Sequence, residues 1–140
     1  MKVAELYGVD LAYWVATVEN LSPIIRDAGC LTREETLGSM PVYNKLDLVG
    51  YTYAPHNNWL QGGALIEKYT IALYPYLDGL GWYAHAHNGR GTRMEGVSPL
   101  VAATRSVIAT VYGKELPATS VQGMSIHPGE DQKLIVSASL

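Results

Sequence analysis

The chain has no phenylalanine, a single cysteine and few charges. No apolar run approaches the length of a membrane span, so no membrane partner is expected. The lone Cys30 has no second thiol to pair with, which fits a reducing cytoplasm and excludes a disulfide-stapled scaffold. Only 16% of residues are charged, and the formal net charge is −3. That balance lacks the basic footprint by which a non-specific nucleic-acid binder displaces counterions, so no nucleic-acid polymer is expected as a partner. Glu5 and Asp10 interrupt the N-terminal apolar stretch, so no secretory h-region is expected. In place of phenylalanine stand ten tyrosines. Tyrosine combines apolar area with a polar tip and suits half-buried faces and ligand-facing walls, although for most of the ten compositional drift is the favoured cause.

At 140 residues the chain has the size of one domain. A chain of this length buries close to about 70% of its unfolded surface, enough for a core without metal or disulfide staples. In "DLAYWVATVEN", Leu11, Trp14, Val15 and Val18 recur with helical spacing; Asp10 suits the N-cap, and the preceding "VAELYG" also tolerates helix and allows an earlier start. "SPIIRDAG" offers Ser22 as a cap, Pro23 at the first helical position and Gly29 as a stop, which predicts a short helix or a turn. "CLTREETLGSMP" is polar and short despite the capping-box spacing of Thr32 and Glu35, and predicts a loop with one helical turn at most.

From about Lys45 the chemistry becomes extended. "LDLVGYTY" is rich in β-branched and aromatic residues. In "ALIEKYTIALYPYL", Leu65, Tyr69, Ile71 and Leu73 alternate imperfectly with polar residues and predict one or two strands. "GWYAHAHNG" predicts a strand with Trp82, Ala84 and Ala86 on one face and Tyr83, His85 and His87 on the other. "HNGRGTRMEG" reads as a Gly-rich turn followed by a loop. The strongest helix is "SPLVAATRSVIATVYG": Ser98 caps it, Pro99 takes the first position, Gly113 ends it, and Leu100, Val107, Ile108 and Val111 line its apolar face. The expected fold class is α+β, a small antiparallel sheet with two main helices packed on one face. Residues 1–113 form a single domain in this reading, and 114–140, ending in "KLIVSASL", form an extension that is an edge strand or a tail.

One stretch concentrates ligand-type chemistry. "YAPHNNWLQGG" sets Tyr53 and Trp59 around His56, Asn57 and Asn58, followed by Gln61, Gly62 and Gly63. The aromatics suit stacking on a planar ligand, the side-chain amides suit reading a base edge or sugar hydroxyls, and the glycines permit close backbone approach. The competing reading has Trp59 covering the core, Pro55 and Asn58 setting a turn and the glycines forming a bulge at a strand start. Arg90 and Arg93 flank the glycines of "HNGRGTR", where backbone N–H groups and guanidinium forks suit an anion; a solvated basic hairpin is the alternative. Arg105 lies off the apolar stripe of the last helix and joins the candidates only if its face meets the Trp59 loop, a surface ion pair being the commoner fate.

Catalytic and metal chemistry find little support. His85 and His87 share a strand face, yet a metal needs a third ligand and His56 is the only attractive one, so no metal site is expected. Cys30 lacks an activating neighbour, Ser98 is accounted for as a cap, and no G-x-S-x-G is present. Glu67 is the only acid in the Trp59 block, and acid–base hydrolysis requires a partner. No enzyme activity and no cofactor are expected.

"LAYWVA", "WLQGGALIEKY", the lone Trp82 on a following strand and "SPLVAATRSVIATVYG" together resemble the NinX-like proteins of tailed phages and prophages, a domain of unknown function. The resemblance runs from Val3 to Gly113, with a variable stretch between Ser22 and Leu48; its sharpest part is the block from Trp59 to Glu67. Where the family pattern has a Ser- or Thr-rich stretch before the Trp, this chain has Pro55-His56-Asn57-Asn58. The resemblance implies a phage or prophage accessory gene acting in the cytoplasm of a bacterial host, and implies no reaction. Two functions follow as expectations. One is capture, without turnover and in a homo-oligomer, of a small planar anion such as a nucleotide-derived signal of bacterial immunity. The alternative is a protein–protein modulator of a host enzyme that uses exposed Tyr and Trp as anchors.

Overall fold

The computed structural model describes residues 1–37, 40–43, 52–87 and 92–117, with backbone alone for 33–37 and 40–43. The fold is α+β, and its elements are a 3-10 turn (Val3–Glu5), α1 (Gly8–Val18), β1 (Ile24–Arg26), β2 (Gly29–Leu31), β3 (Arg33–Leu37), β4 (Met40–Tyr43), α2 (Trp59–Tyr69), β5 (Ile71–Pro75), β6 (Trp82–Ala86), β7 (Arg93–Gly96) and α3 (Pro99–Tyr112).

The main sheet has the order β5-β6-β7 and is antiparallel throughout. The predicted two-faced strand is β6. Its partners extend each face: Leu73, Ala84 and Met94 fall in register on one side, and Tyr74 and Tyr83 pair on the other. Ala84, Ala86 and Met94 are buried, so the first face is the core face. Helix α3 lies on it at close range. A Cβ on Gly96 of β7 would fall 2.5 Å from the Ala102 nitrogen, so only glycine permits this approach.

Helix α3 begins and ends as its local chemistry predicts. Ser98 Oγ accepts from Val101 N at 3.1 Å, Pro99 occupies the first turn, and Gly113 takes φ 70° at the C-cap. Its burial is broader than the predicted stripe: Ala102, Ala103, Thr104, Ser106 and Ala109 are buried together with Leu100, Val107 and Ile108, whereas Val111 is 47% exposed. The reason is layering. The sheet covers one side of α3, and α1 and α2 cover another. A helix enclosed in this way becomes apolar nearly all round. The buried hydroxyls of Thr104 and Ser106 donate back to Leu100 O at 2.7 Å and Ala103 O at 2.6 Å and leave no unmet donor. The α+β class is as expected, and the helices are layered: α3 lies directly on the sheet, and α1 and α2 pack on α3.

Several local expectations change. Helix α1 starts before Asp10: Gly8 opens it at φ 58°, and Asp10 sits in the first turn, where a carboxylate favours the positive end of the helix dipole. Leu11, Trp14 and Val15 are buried and Val18 packs at the core margin, as their spacing requires. Of the short helix or turn expected over "SPIIRDAG", the turn is present, within a hairpin: Ile24–Arg26 pairs with Gly29–Leu31 through a turn in which Asp27 and Ala28 both have positive φ. That geometry matches the twist of paired strands, and the β-branched Ile24 and Ile25 suit it. The polar stretch after it forms the β3–β4 hairpin rather than a loop. Arg93–Gly96, expected as loop, is edge strand β7. Residues 44–51, which hold most of the extended "LDLVGYTY", and the glycine-rich 88–91 lie outside the described residues.

The largest revision is α2. The stretch expected as strands from Ala64 remains helical to Tyr69, turns at Thr70 in the left-handed region (φ 51°, ψ 58°), and becomes a strand only at Ile71. Gly62, Leu65, Ile66 and Tyr69, which are buried or packed on the core, have the spacing i, i+3, i+4, i+7. The imperfect alternation was the trace of this helical period.

Beyond Gly113 the chain returns to its start. Lys2 bridges Glu115 in antiparallel fashion, Val3 N donates to Lys114 O at 2.9 Å, and Leu116 is buried. Residues 118–140 lie outside the described residues.

Candidate functional site

The Trp59 block forms the corner that leads into α2. Asn57 N and Asn58 N both donate to Ala54 O, at 3.0 and 2.9 Å, closing the turn. Asn58 is the N-cap, its Oδ1 accepting from Gln61 N at 3.2 Å. Gln61 reaches back across the corner: Oε1 accepts from Ala54 N at 2.6 Å and Nε2 donates to Thr52 O at 3.3 Å. A Cβ on Gly62 would meet Pro55 O at 2.4 Å and Leu100 Cδ2 at 2.6 Å, so this glycine seats α2 against the corner and α3; Gly63 faces open space. Tyr53 packs at the core margin, and its phenol is pushed up first by burial and then by the charges of Glu19, Cys30 and Tyr69. His56 Nδ1 is buried without a hydrogen-bond partner among the described residues, and burial lowers the imidazole below its ordinary range.

The amides of Asn58 and Gln61 are thus committed to building the corner, a role that local cap and turn chemistry explains. Asn57 remains exposed, and Trp59 is 58% exposed, with Leu60, a residue the sequence reading passed over, at 79%. The indole does not cover the core.

The arginines do not converge on this corner. Arg90 lies outside the described residues. Arg105 bonds main-chain oxygens instead: Nε and Nη2 donate to Leu6 O at 3.1 and 2.7 Å, and Nη1 donates to Glu95 O at 2.7 Å. Burial lowers the affinity of this guanidinium for its proton. Arg93 stands on the face of β7 that points away from α3, whereas α2 rests on the α3 side.

That face of the sheet, left uncovered among the described residues, gathers its own constellation. The Tyr74 and Tyr83 rings are stacked, with centroids 5.0 Å apart and planes 21° from parallel. Tyr76 lies 5.8 Å from Tyr83, and Arg93 Cζ sits 4.9 Å from the Tyr83 centroid, within cation–π range. Desolvation first, and then its hydrogen bond to Glu95, raise the Tyr76 phenol. His85 and His87 follow along the same face with rings 5.6 Å apart; His87 Nδ1 lies 2.9 Å from Thr70 O, which keeps a proton on that nitrogen. The histidine alternation was readable along β6. Tyr74 and Tyr76 were not, because their neighbours are set by strand pairing. Among the described residues, no group of three or more His, Cys, Asp or Glu is placed to hold a metal ion, and no helix is long and apolar enough to cross a membrane.

A small α+β domain thus carries an aromatic and basic sheet face on one side and an exposed indole at a helix start on the other. The family model described as Bacteriophage P22, NinX matches residues 2–110, from the N-terminal turn into the last turns of α3, and the chain belongs to that family. No curated protein matches it.

Proposed function

We propose that this phage-family protein captures a small planar anion of the nucleotide class without turnover, and that in an infected bacterium it withholds a nucleotide-derived immune signal from its receptor. The supporting observation is the guanidinium of Arg93 set 4.9 Å over Tyr83, itself stacked on Tyr74, on an open sheet face. Aromatic planes contribute about 1–3 kcal/mol per stacked base, and an adjacent guanidinium favours the anionic group attached to it. In this reading the ligand lies on the sheet face and not at the Trp59 corner, where the Asn58 and Gln61 side chains already bond the backbone.

The test is thermal shift against a panel of linear and cyclic nucleotides. Any ligand that prefers the folded state raises Tm. Tyr83→Ala and Arg93→Ala each abolish the shift in this reading, and the ligand is recovered intact after heat release. A flat response across the panel overturns it, and recovery of a cleaved ligand overturns capture without turnover.

A second reading is favoured by a separate observation. Trp59 and Leu60 expose 58% and 79% of their surface side by side at the start of α2, the kind of anchor that a partner protein buries. In that reading the protein modulates a host enzyme. A stoichiometric host partner that is lost on Trp59→Ala, with no small ligand in the denatured eluate, supports it; unchanged capture by Trp59→Ala removes it.

A further inference from the structure

Along the outer edge of β7 lies a groove of about 530 Å³, between the N-terminal turn and the segment after α3. This volume is in the range of small-molecule sites, about 300–1,000 Å³. Its charged lining comes from segments far apart in the chain: Lys2, Arg93 and Lys114, with the carboxylates Glu95 and Glu115. The pairing of Lys2 with Glu115, and of Val3 N with Lys114 O, brings the two lysines to one wall, and β7 supplies the arginine. Both carboxylates already face cations. Glu95 lies 4.0 Å from Arg93, and Glu115 lies 3.9 Å from the Met1 ammonium. Lys2 and Lys114 have no ion-pair partner among the described residues.

Arg93 belongs to two surfaces at once. Its guanidinium covers the Tyr83 ring and its side chain lines the groove. A ligand whose flat portion lies on the tyrosine column therefore has its charged portion led past Arg93 into the groove. We infer that this groove is a phosphate subsite and that the ligand is a nucleoside phosphate, not a free base or nucleoside. The inference rests on the sheet-face reading for the base. Of the groove's cations Arg93 is shared with that reading, whereas Lys2 and Lys114 take no part in it. Phosphate oxygens accept a forked pair of bonds from a guanidinium and single strong bonds from ammonium groups, which is the donor set present here.

The experiment is calorimetric titration of the full chain with the four common nucleosides, their 5′-monophosphates and inorganic pyrophosphate. It uses wild type, Tyr83→Ala and the double variant Lys2→Gln/Lys114→Gln. The lysines are on the surface, and an unchanged Tm confirms that the double variant is folded. In wild type a monophosphate binds at least about tenfold more tightly than its nucleoside, since one charge-assisted bond contributes that much. The double variant loses this ratio and keeps nucleoside binding; Tyr83→Ala loses nucleoside binding and keeps pyrophosphate. Equal affinity for nucleoside and monophosphate in wild type, or an unchanged ratio in the double variant, overturns the groove while the stacking reading stands. Lysine-dependent pyrophosphate binding without any nucleoside or nucleotide binding keeps the groove as a phosphate site and overturns the stacking reading. Silence from all probes overturns both.

Discussion

Arg105 and Leu6, ninety-nine residues apart in the chain, are joined by two hydrogen bonds: Nη2 and Nε of the guanidinium donate to the Leu6 carbonyl at 2.7 and 3.1 Å. The remaining arm, Nη1, donates to Glu95 O at 2.7 Å. One side chain on α3 thereby fastens both the N-terminal turn and the edge strand β7, the two walls of the groove. Arg105→Met leaves the partly buried Leu6 carbonyl and the exposed Glu95 carbonyl without their donor and is expected to cost about 1–3 kcal/mol in urea unfolding with an unchanged m value. Arg105→Lys recovers less than half of the loss, because an ammonium lacks the planar fork. A loss below about 0.5 kcal/mol on Arg105→Met contradicts the assigned role.

Adjacent glycines in α2 are expected to respond with opposite sign. Gly62→Ala places a methyl 2.4 Å from Pro55 O and 2.6 Å from Leu100 Cδ2, an overpacking expected to destabilise by about 1–3 kcal/mol. Gly63→Ala meets nothing within 4 Å and is expected to stabilise by about 0.4–1 kcal/mol through helix propensity and a stiffer unfolded chain. Chemical denaturation of the two variants side by side checks this, and equal effects refute the packing of α2 described above.

His56 gives the fold an acid sensitivity. Burial depresses its folded-state pKa, so the unfolded chain takes up a proton first as pH falls. Stability supported by the neutral imidazole is complete above the ordinary value of 6.5 and drains away as pH drops from there towards the depressed folded value. His56→Gln removes the titration. Between about pH 8 and about pH 5 the unfolding free energy of wild type is expected to fall more steeply than that of the variant, and parallel curves refute the buried neutral state. The other histidines cancel in this comparison.

Cys30 is buried, and desolvation pushes its thiol up to about 12. The nucleophile is the thiolate, so the native protein is expected to resist aromatic disulfide reagents at neutral pH and to react fully once unfolded in denaturant. Rapid stoichiometric reaction of the native protein refutes this placement.

Part of the candidate site was readable and part was not. Asn58 as an N-cap lies within one helical turn of Gln61, yet the polar run around it reads equally well as ligand chemistry, because capping and ligand reading use the same donors and acceptors. Arg93 was singled out from its glycine-rich surroundings, but its company was not: Tyr83 reaches it through the register of β6 on β7, and Tyr74 through β5 on β6. Lys2 and Lys114 carry no motif at all. They meet because the ends of the described chain pair as an isolated bridge.

By itself the sequence determined the α+β class, the limits and caps of α3 and the two faces of β6. Each of these rests on side-chain period and backbone chemistry among a dozen neighbouring residues. Only the tertiary structure decided that the stretch from Trp59 is a helix, that α3 lies buried between sheet and helices, and that Arg105 holds the N-terminal turn instead of facing the Trp59 corner. Those outcomes depend on which apolar surfaces cover one another and which carbonyls are left without donors when they do, and no local window of the chain contains both partners.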